Sequence, residues 1–292
     1  MGKLLRAITS DGAILATVLN STDMCARAEQ VHQSSATVTA AMGRLMTGAS
    51  MMGAALKNDD DTITLRISGK GPAGAVIAVA DAFGNAKVSV ANPVVEIPLN
   101  SKGKLDVGGA IGTDGFLSVI RDNGEGEPQT GYSPIVTGEI GDDLTYFFAN
   151  SEQIPTVCAL GVLVSPDLSV AAAGGYLLQL LPGADDDTIE QLEKVMPKVP
   201  AVSTMVNDGL SNREILDRAL EGFEYEVIEE RDVFYRCDCS QERVERVLIS
   251  LGEDELKKLI AEQENTTVEC HFCEKKYNFS AKEIEALIKK AK

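Results

Sequence analysis

The sequence predicts an α+β protein in three parts. Residues 1–180 form an N-terminal domain of antiparallel sheets and one long packed helix, 181–231 a helical linker, and 232–292 a small cysteine-bearing domain. Three observations lead there. Short alternating or apolar runs separated by Gly, Asn and Asp fill most of residues 62–181, the pattern of strands joined by hairpins. One early stretch, Ser35 to Lys57, lacks that alternation and is dense in Ala, Gly and Met. Four of the six cysteines fall after residue 231.

Taken in order, Ala13 to Leu19 (AILATVL) reads as a strand, and Ser35 to Lys57 as one helix whose small residues allow close backbone approach. Strands are then expected at Thr62 to Ser68, Ala75 to Ala80, Ala86 to Val90, Phe116 to Arg121 and Leu144 to Phe148. Val157 to Val164 and Ser169 to Leu181 are apolar and complete the core of this domain. Gly69 to Gly74 (GKGPAG) matches G-x-G-x-x-G, but Pro72 and the strand-like run after it stand where a phosphate-binding helix would begin. It is expected to be a hairpin turn.

Pro182-Gly183 and the acidic run Asp185-Asp186-Asp187 mark a boundary. Thr188 to Met196 is a helix stopped by Pro197, and Ser211 to Glu214 is a capping box opening a second helix to about Leu220. Between them, Val199 to Val206 (VPAVSTMV) is apolar but too short to be a core, so it is expected to lie on another surface. In the last part Ser240 caps a helix to about Ile249, Gly252 to Glu255 starts another through Ala261, and Ser280 to Glu283 boxes a C-terminal helix. Val268 to Phe279 reads as a hairpin between them.

Charge narrows the function classes. The net charge is −17, distributed as −7 over residues 1–180, −9 over 181–230 and −1 over 231–292. No segment is basic, which disfavours nucleic-acid partners, since phosphate contacts need a concentrated positive surface. Asp11 interrupts the first apolar run, and Arg44 sits near the centre of the best membrane-span candidate, so neither a signal peptide nor a membrane partner is expected. A cytoplasmic location follows, where six cysteines are not expected to form structural disulfides.

Cys237 and Cys239 form C-x-C, and after 30 residues Cys270 and Cys273 form C-x-x-C. Two close pairs of thiolates brought together by intervening helices make a four-sulfur site, and soft sulfur in that arrangement selects zinc, one ion per chain, with an iron–sulfur cluster or unligated thiols as the alternatives. Four protein ligands leave no open position for a catalytic water, so the metal is expected to be a staple of a small domain. Its ligands are oxidisable, which makes the staple a possible switch. His271 lies between two ligands but is not needed by a filled shell. Cys25 and Cys158 stand alone in apolar surroundings and read as buried bystanders, and His32 has no partner at ligand spacing. No P-loop, G-x-S-x-G or H-E-x-x-H motif is present, and no enzyme activity or catalytic residue is expected.

The CDCS and CHFC motifs, the SEQ-x-P-T stretch at Ser151 to Thr156, the YFF before it and the long Ala/Gly-rich helix together resemble the 33-kDa heat-shock protein family, redox-regulated holdase chaperones of bacteria. The resemblance covers nearly the whole chain, although the linker matches only in character. It implies a chaperone that is silent while reduced and zinc-bound, and that holds unfolding client proteins after oxidation. It further implies disulfides between near neighbours, Cys237 with Cys239 and Cys270 with Cys273. Such bridges close tiny loops and cannot replace a tether across the domain. Loss of the staple would free the linker and uncover apolar surface, on which a homodimer is expected to form on activation. Two other classes compete: a zinc-ribbon nucleic-acid-binding regulator, weakened by the charge distribution, and a C-x-x-C thiol oxidoreductase, weakened because Cys270 sits in an expected hairpin rather than at a helix start.

Overall fold

A computed structural model describes residues 1–263 and 265–290. The chain divides into two compact units, Met1–Arg236 and Cys237–Lys292.

The first unit opens with β1 (Gly2–Thr9) and β2 (Ile14–Asn20), a hairpin whose turn is closed by Asp11, which accepts the Thr9 hydroxyl at 2.5 Å and the Ala13 N–H at 2.9 Å. Two helices follow, α1 (Thr22–His32) and α2 (Ala36–Gly53). Then come β3 (Thr62–Ser68), β4 (Val76–Asp81), β5 (Ala86–Val90), a short α3 (Val107–Ile111), β6 (Phe116–Asp122) and β7 (Gln129–Pro134). After α4 (Gly141–Phe147) and a π turn over Phe148–Glu152, β8 (Thr156–Val164) and β9 (Val170–Leu180) return to the first sheet. That sheet is completed late in the chain by β10 (Tyr225–Val233), giving the order β10-β1-β2-β9-β8. The second sheet runs β5-β4-β3-β6-β7, and every pairing within both sheets is antiparallel.

Helix α2 packs against strands of both sheets, which explains its composition. Of its 18 residues, 16 are buried, so polar and apolar faces are not segregated and small residues must let two sheets approach one cylinder. Arg44, an exception, ends on the Glu139 side chain and carbonyl. A Cβ at Gly48 would lie 2.7 Å from a Leu144 methyl, and one at Gly53 would lie 2.6 Å from the Asp81 carbonyl oxygen. Backbone cannot yield as a side chain can, so Gly53→Ala is expected to lower stability by about 1–3 kcal/mol, read as a shifted urea midpoint with an unchanged slope.

Three helices cover the other face of the first sheet: α5 (Asp186–Val195), α6 (Val202–Asn207) after a 3₁₀ turn at Met196–Lys198, and α7 (Asn212–Ala219). The capping box at Ser211 is present, with the Ser211 N–H donating to Glu214 at 2.8 Å. Val202, Met205, Ile215, Leu216 and Leu220 are each at most 3% exposed, packed in one cluster with Leu5, Ile14, Val18 and Leu178 of the sheet. The apolar Val199 to Val206 stretch thus does lie on another surface. Its seat is a bare strip: Gly161 and Gly174 are directly paired on β8 and β9, and Cβ atoms there would meet Ser203 at 2.9 Å and Val206 at 3.1 Å.

Beyond β10 the chain crosses to the edge of the second sheet. Ala86 donates to the Phe234 carbonyl at 3.0 Å, Arg236 donates to the Ala86 carbonyl at 2.9 Å, and the Tyr235 hydroxyl reaches the Val88 carbonyl at 3.2 Å. His32 is buried there, with its Nε2 donating to the same Val88 oxygen at 2.8 Å.

The expected strand at Leu144 to Phe148 is instead helix and π turn. Gly141-Asp142-Asp143 begins it: the Asp143 carboxylate, fully buried, accepts the N–H groups of Val136 and Ile140 at 2.7 and 2.9 Å, closing the loop that starts the helix. The Gly69 to Gly74 segment joins β3 to β4 without a phosphate-binding helix, its backbone pressed against residues 110–112.

The second unit holds α8 (Gln241–Ser250), α9 (Glu253–Glu262), the hairpin β11 (Asn265–Glu269) with β12 (Lys276–Ser280), and α10 (Ala281–Lys290). The Ser280–Glu283 box caps α10, the Ser280 N–H donating to Glu283 at 2.8 Å. Its core is small: Val244, Leu248, Leu256, Tyr277, Phe279, Ile284 and Leu287.

Candidate metal centre

The four cysteines reach one point from two local structures. Cys237 and Cys239 lie on the irregular segment just before α8, whose first turn is capped by Ser240 accepting the Arg243 N–H at 3.2 Å. Cys270 and Cys273 lie in the turn of the β11–β12 hairpin, where the Cys270 carbonyl accepts N–H groups from Cys273 at 3.2 Å and Glu274 at 2.7 Å. Glu274 takes a left-handed φ of 58°, which brings the chain back so that Cys270 N–H can donate to the Lys275 carbonyl at 3.0 Å. Both thiols of C-x-x-C are thereby turned to the same side.

All four sulfurs lie within 4.8 Å of one another. Two of the separations run crosswise between the pairs, Cys239 to Cys273 at 3.3 Å and Cys237 to Cys270 at 3.6 Å. A tetrahedron with metal–sulfur bonds of about 2.3 Å has edges of about 3.8 Å, so the cluster has the size of a thiolate shell around one ion. No disulfide links any of the six cysteines.

The thiols differ. Burial raises the Cys237 thiol to about 12. Burial also acts upward on Cys239, but the Tyr277 hydroxyl, 3.1 Å from its sulfur, and the neighbouring sulfurs outweigh it and bring that thiol down to about 7. The four thiols therefore hold their protons unequally, and a cation at the centre would draw them off. His271 is exposed and stands outside the cluster. Cys25 is buried and its thiol is pushed up to about 11, burial likewise raises Cys158, and neither joins a metal-ligand cluster among the described residues. Tyr277 escapes a reading for cysteine and histidine ligands; its signal is only an inward position on β12, four residues after Cys273.

The family model for Hsp33 protein matches residues 2–280. The chain belongs to the Hsp33 family. Among its curated Hsp33 relatives, the 33 kDa chaperonins of Bacillus cereus (strain AH187) and Bacillus anthracis (strain A0248) are each 44% identical over 285 residues, covering 98% of this chain and 98% of theirs. The crystal structure of the 33 kDa chaperonin (heat shock protein 33 homolog) of Thermotoga maritima superposes with a TM-score of 0.90 at 34% identity, covering 98% of this chain and 97% of that one. The mixed helix and antiparallel sheet described above is therefore the Hsp33 fold, and its C-terminal cysteine cluster is a possible metal site of an Hsp33 protein. Among the described residues, no helix is long and apolar enough to cross a membrane.

Proposed function

We propose that this Hsp33-family chain is an ATP-independent holdase of the cytoplasm, inactive while reduced and zinc-bound through Cys237, Cys239, Cys270 and Cys273, and activated by oxidation of those thiols. The observation that carries the reading is the four-sulfur cluster, which ties the start of the second unit to its hairpin. Bound zinc supplies a tether there, held by soft thiolates that close its shell. Residues 232–292 are the switch, 181–231 the regulatory linker and 1–180 the client-binding domain.

Peroxide converts two thiols to one disulfide: the S–S bond forms, the O–O bond breaks, and both thiol protons leave in two waters. The family resemblance points to Cys237–Cys239 and Cys270–Cys273. A crosswise bridge from Cys239 to Cys273 would close a loop 34 residues apart and keep the unit tied, whereas neighbour bridges leave its two halves independent. The unit then unfolds and the linker leaves the first sheet. Unfolded clients, or a second copy of the chain, meet the uncovered apolar surface. The chain performs no catalytic step and needs no nucleic acid or membrane.

The test is zinc content, free-thiol count and disulfide mapping before and after peroxide, with aggregation of a denatured client followed in parallel. Zinc loss, neighbour bridges and suppressed aggregation are expected together; crosswise bridges in an active protein would sink the switch. Reduced His271→Ala is expected to keep one zinc per chain, because four sulfurs already fill the shell, and a substoichiometric variant would overturn that ligand set. A Cys25→Ala, Cys158→Ala double variant is expected to activate with peroxide at close to the wild-type rate, since burial keeps both thiols protonated. Loss of the response in a folded double variant would assign one of them a redox role.

A further inference from the structure

We infer that Tyr277 is a positioning residue of the metal centre, whose hydroxyl donates to the Cys239 sulfur and sets how tightly the four-sulfur site holds zinc. The inference deepens the zinc reading above and rests on it.

Tyr277 sits on β12 opposite Val268, with its ring in the core of the second unit beside Phe279 and Leu248. Lys275 places its Nζ 5.0 Å from the ring centroid. A ring so held has little freedom, and its hydroxyl ends 3.1 Å from the Cys239 sulfur. Four thiolates around a divalent cation carry two net negative charges into a partly buried site, and donors aimed at the sulfurs are what offset them. Two such donors are backbone groups, the Cys239 N–H toward the Cys237 sulfur and the Lys275 N–H toward the Cys273 sulfur. Any residue supplies those. The Tyr277 hydroxyl is a side-chain group, so it can be removed alone: phenylalanine keeps the ring, the packing and the lysine contact, and loses one hydrogen bond.

A hydrogen bond to sulfur also holds its lone pair and makes it a poorer nucleophile toward an oxidant. Weaker metal binding and faster oxidation are therefore coupled consequences of one missing hydroxyl. They would lower the oxidant dose at which the switch opens.

The experiment compares reduced full-length wild type with Tyr277→Phe. Zinc affinity is read by chelator competition, the sulfur-to-metal charge-transfer band by cobalt(II) substitution, and the rate of zinc release by adding hydrogen peroxide, which takes two electrons per disulfide formed and leaves as two waters. In the variant, zinc affinity is expected to fall about 10- to 100-fold, the cobalt band to move to longer wavelength, and zinc release to accelerate. Circular dichroism and thermal melting of the zinc-loaded proteins should nearly coincide, which separates a sulfur effect from a packing defect. An unshifted cobalt band with affinity unchanged overturns the inference while leaving the zinc site intact. A wild type that binds no stoichiometric zinc overturns the metal reading and this inference together.

Discussion

A fragment ending at Pro182 is expected to suppress aggregation of a denatured client even in reductant, where the full chain does not. The cut removes α5, α6, α7 and β10 and leaves α2 with its two sheets in place. Leu5, Ile14, Val18 and Leu178, each fully buried beneath the linker helices, would then face water. Each such side chain is worth about 1.5–3 kcal/mol when fully buried, so the uncovered face is a strong site for any unfolded chain. Strand β1 also loses β10, one of its two partners, and becomes an edge that can pair with extended peptide. Light scattering of the client gives the activity, and size-exclusion chromatography shows whether the fragment instead pairs with itself. A folded, monomeric and inert fragment would move the client site onto the released linker.

Chelation of the metal in reductant is expected to unfold the second unit and spare the first. Among the described residues, the core of that unit has seven buried apolar residues, Val244, Leu248, Leu256, Tyr277, Phe279, Ile284 and Leu287. A core of that size supplies only about 3–5 kcal/mol before a staple is added. Structural zinc contributes on the order of 10 kcal/mol in small domains, so its loss reverses the balance. Hydrogen exchange should show amides of α8 and α10 losing protection at once while α2 and β9 keep theirs. Protection of α8 that survives stoichiometric removal of zinc would show that the helices hold themselves and that the metal has another role.

The parts of the fold legible in the sequence are those whose signal is local. Ser211 with Glu214 and Ser280 with Glu283 announce helix starts by spacing alone, and the cysteines announce their cluster because two close pairs at ligand spacing are the pattern of a thiolate shell. The parts that were hidden depend on partners far away. Tyr225–Val233 is rich in Glu and reads as a charged linker, yet it becomes β10 because β1 presents Lys3 opposite Asp232 and Arg6 opposite Glu229. Gly2–Thr9 escapes in part for the same reason, since β10, one of its two partners, lies more than 200 residues away. The run at Leu144 to Phe148 is a short apolar stretch whose periodicity does not separate strand from helix, and the deciding residue is Asp143, just before it. The metal centre was legible as ligands, whereas Tyr277 was not, since only the folded hairpin brings its hydroxyl to a sulfur.

The segment that covers the first sheet is held by two different kinds of contact. Helix α6 buries apolar side chains over a strip of bare glycine backbone and α7 buries its own against β1 and β2, with Asn212 donating to the Lys3 carbonyl as a polar point of attachment. Strand β10, by contrast, is flanked by solvent-touching ion pairs, Lys3 with Asp232 at 2.5 Å and Arg6 with Glu229 at 3.7 Å. Ionic strength therefore acts on these pairs and on the exposed Arg213–Glu230 pair that joins α7 to β10, and not on the apolar seat of the helices, because screening reaches exposed charges only. Release of the helices hydrates apolar area and carries a positive heat-capacity change, so its equilibrium is curved in temperature. Salt thus loosens the ion pairs that flank the strand while its backbone ladder to β1 persists, and heat acts on the apolar seat of the helices.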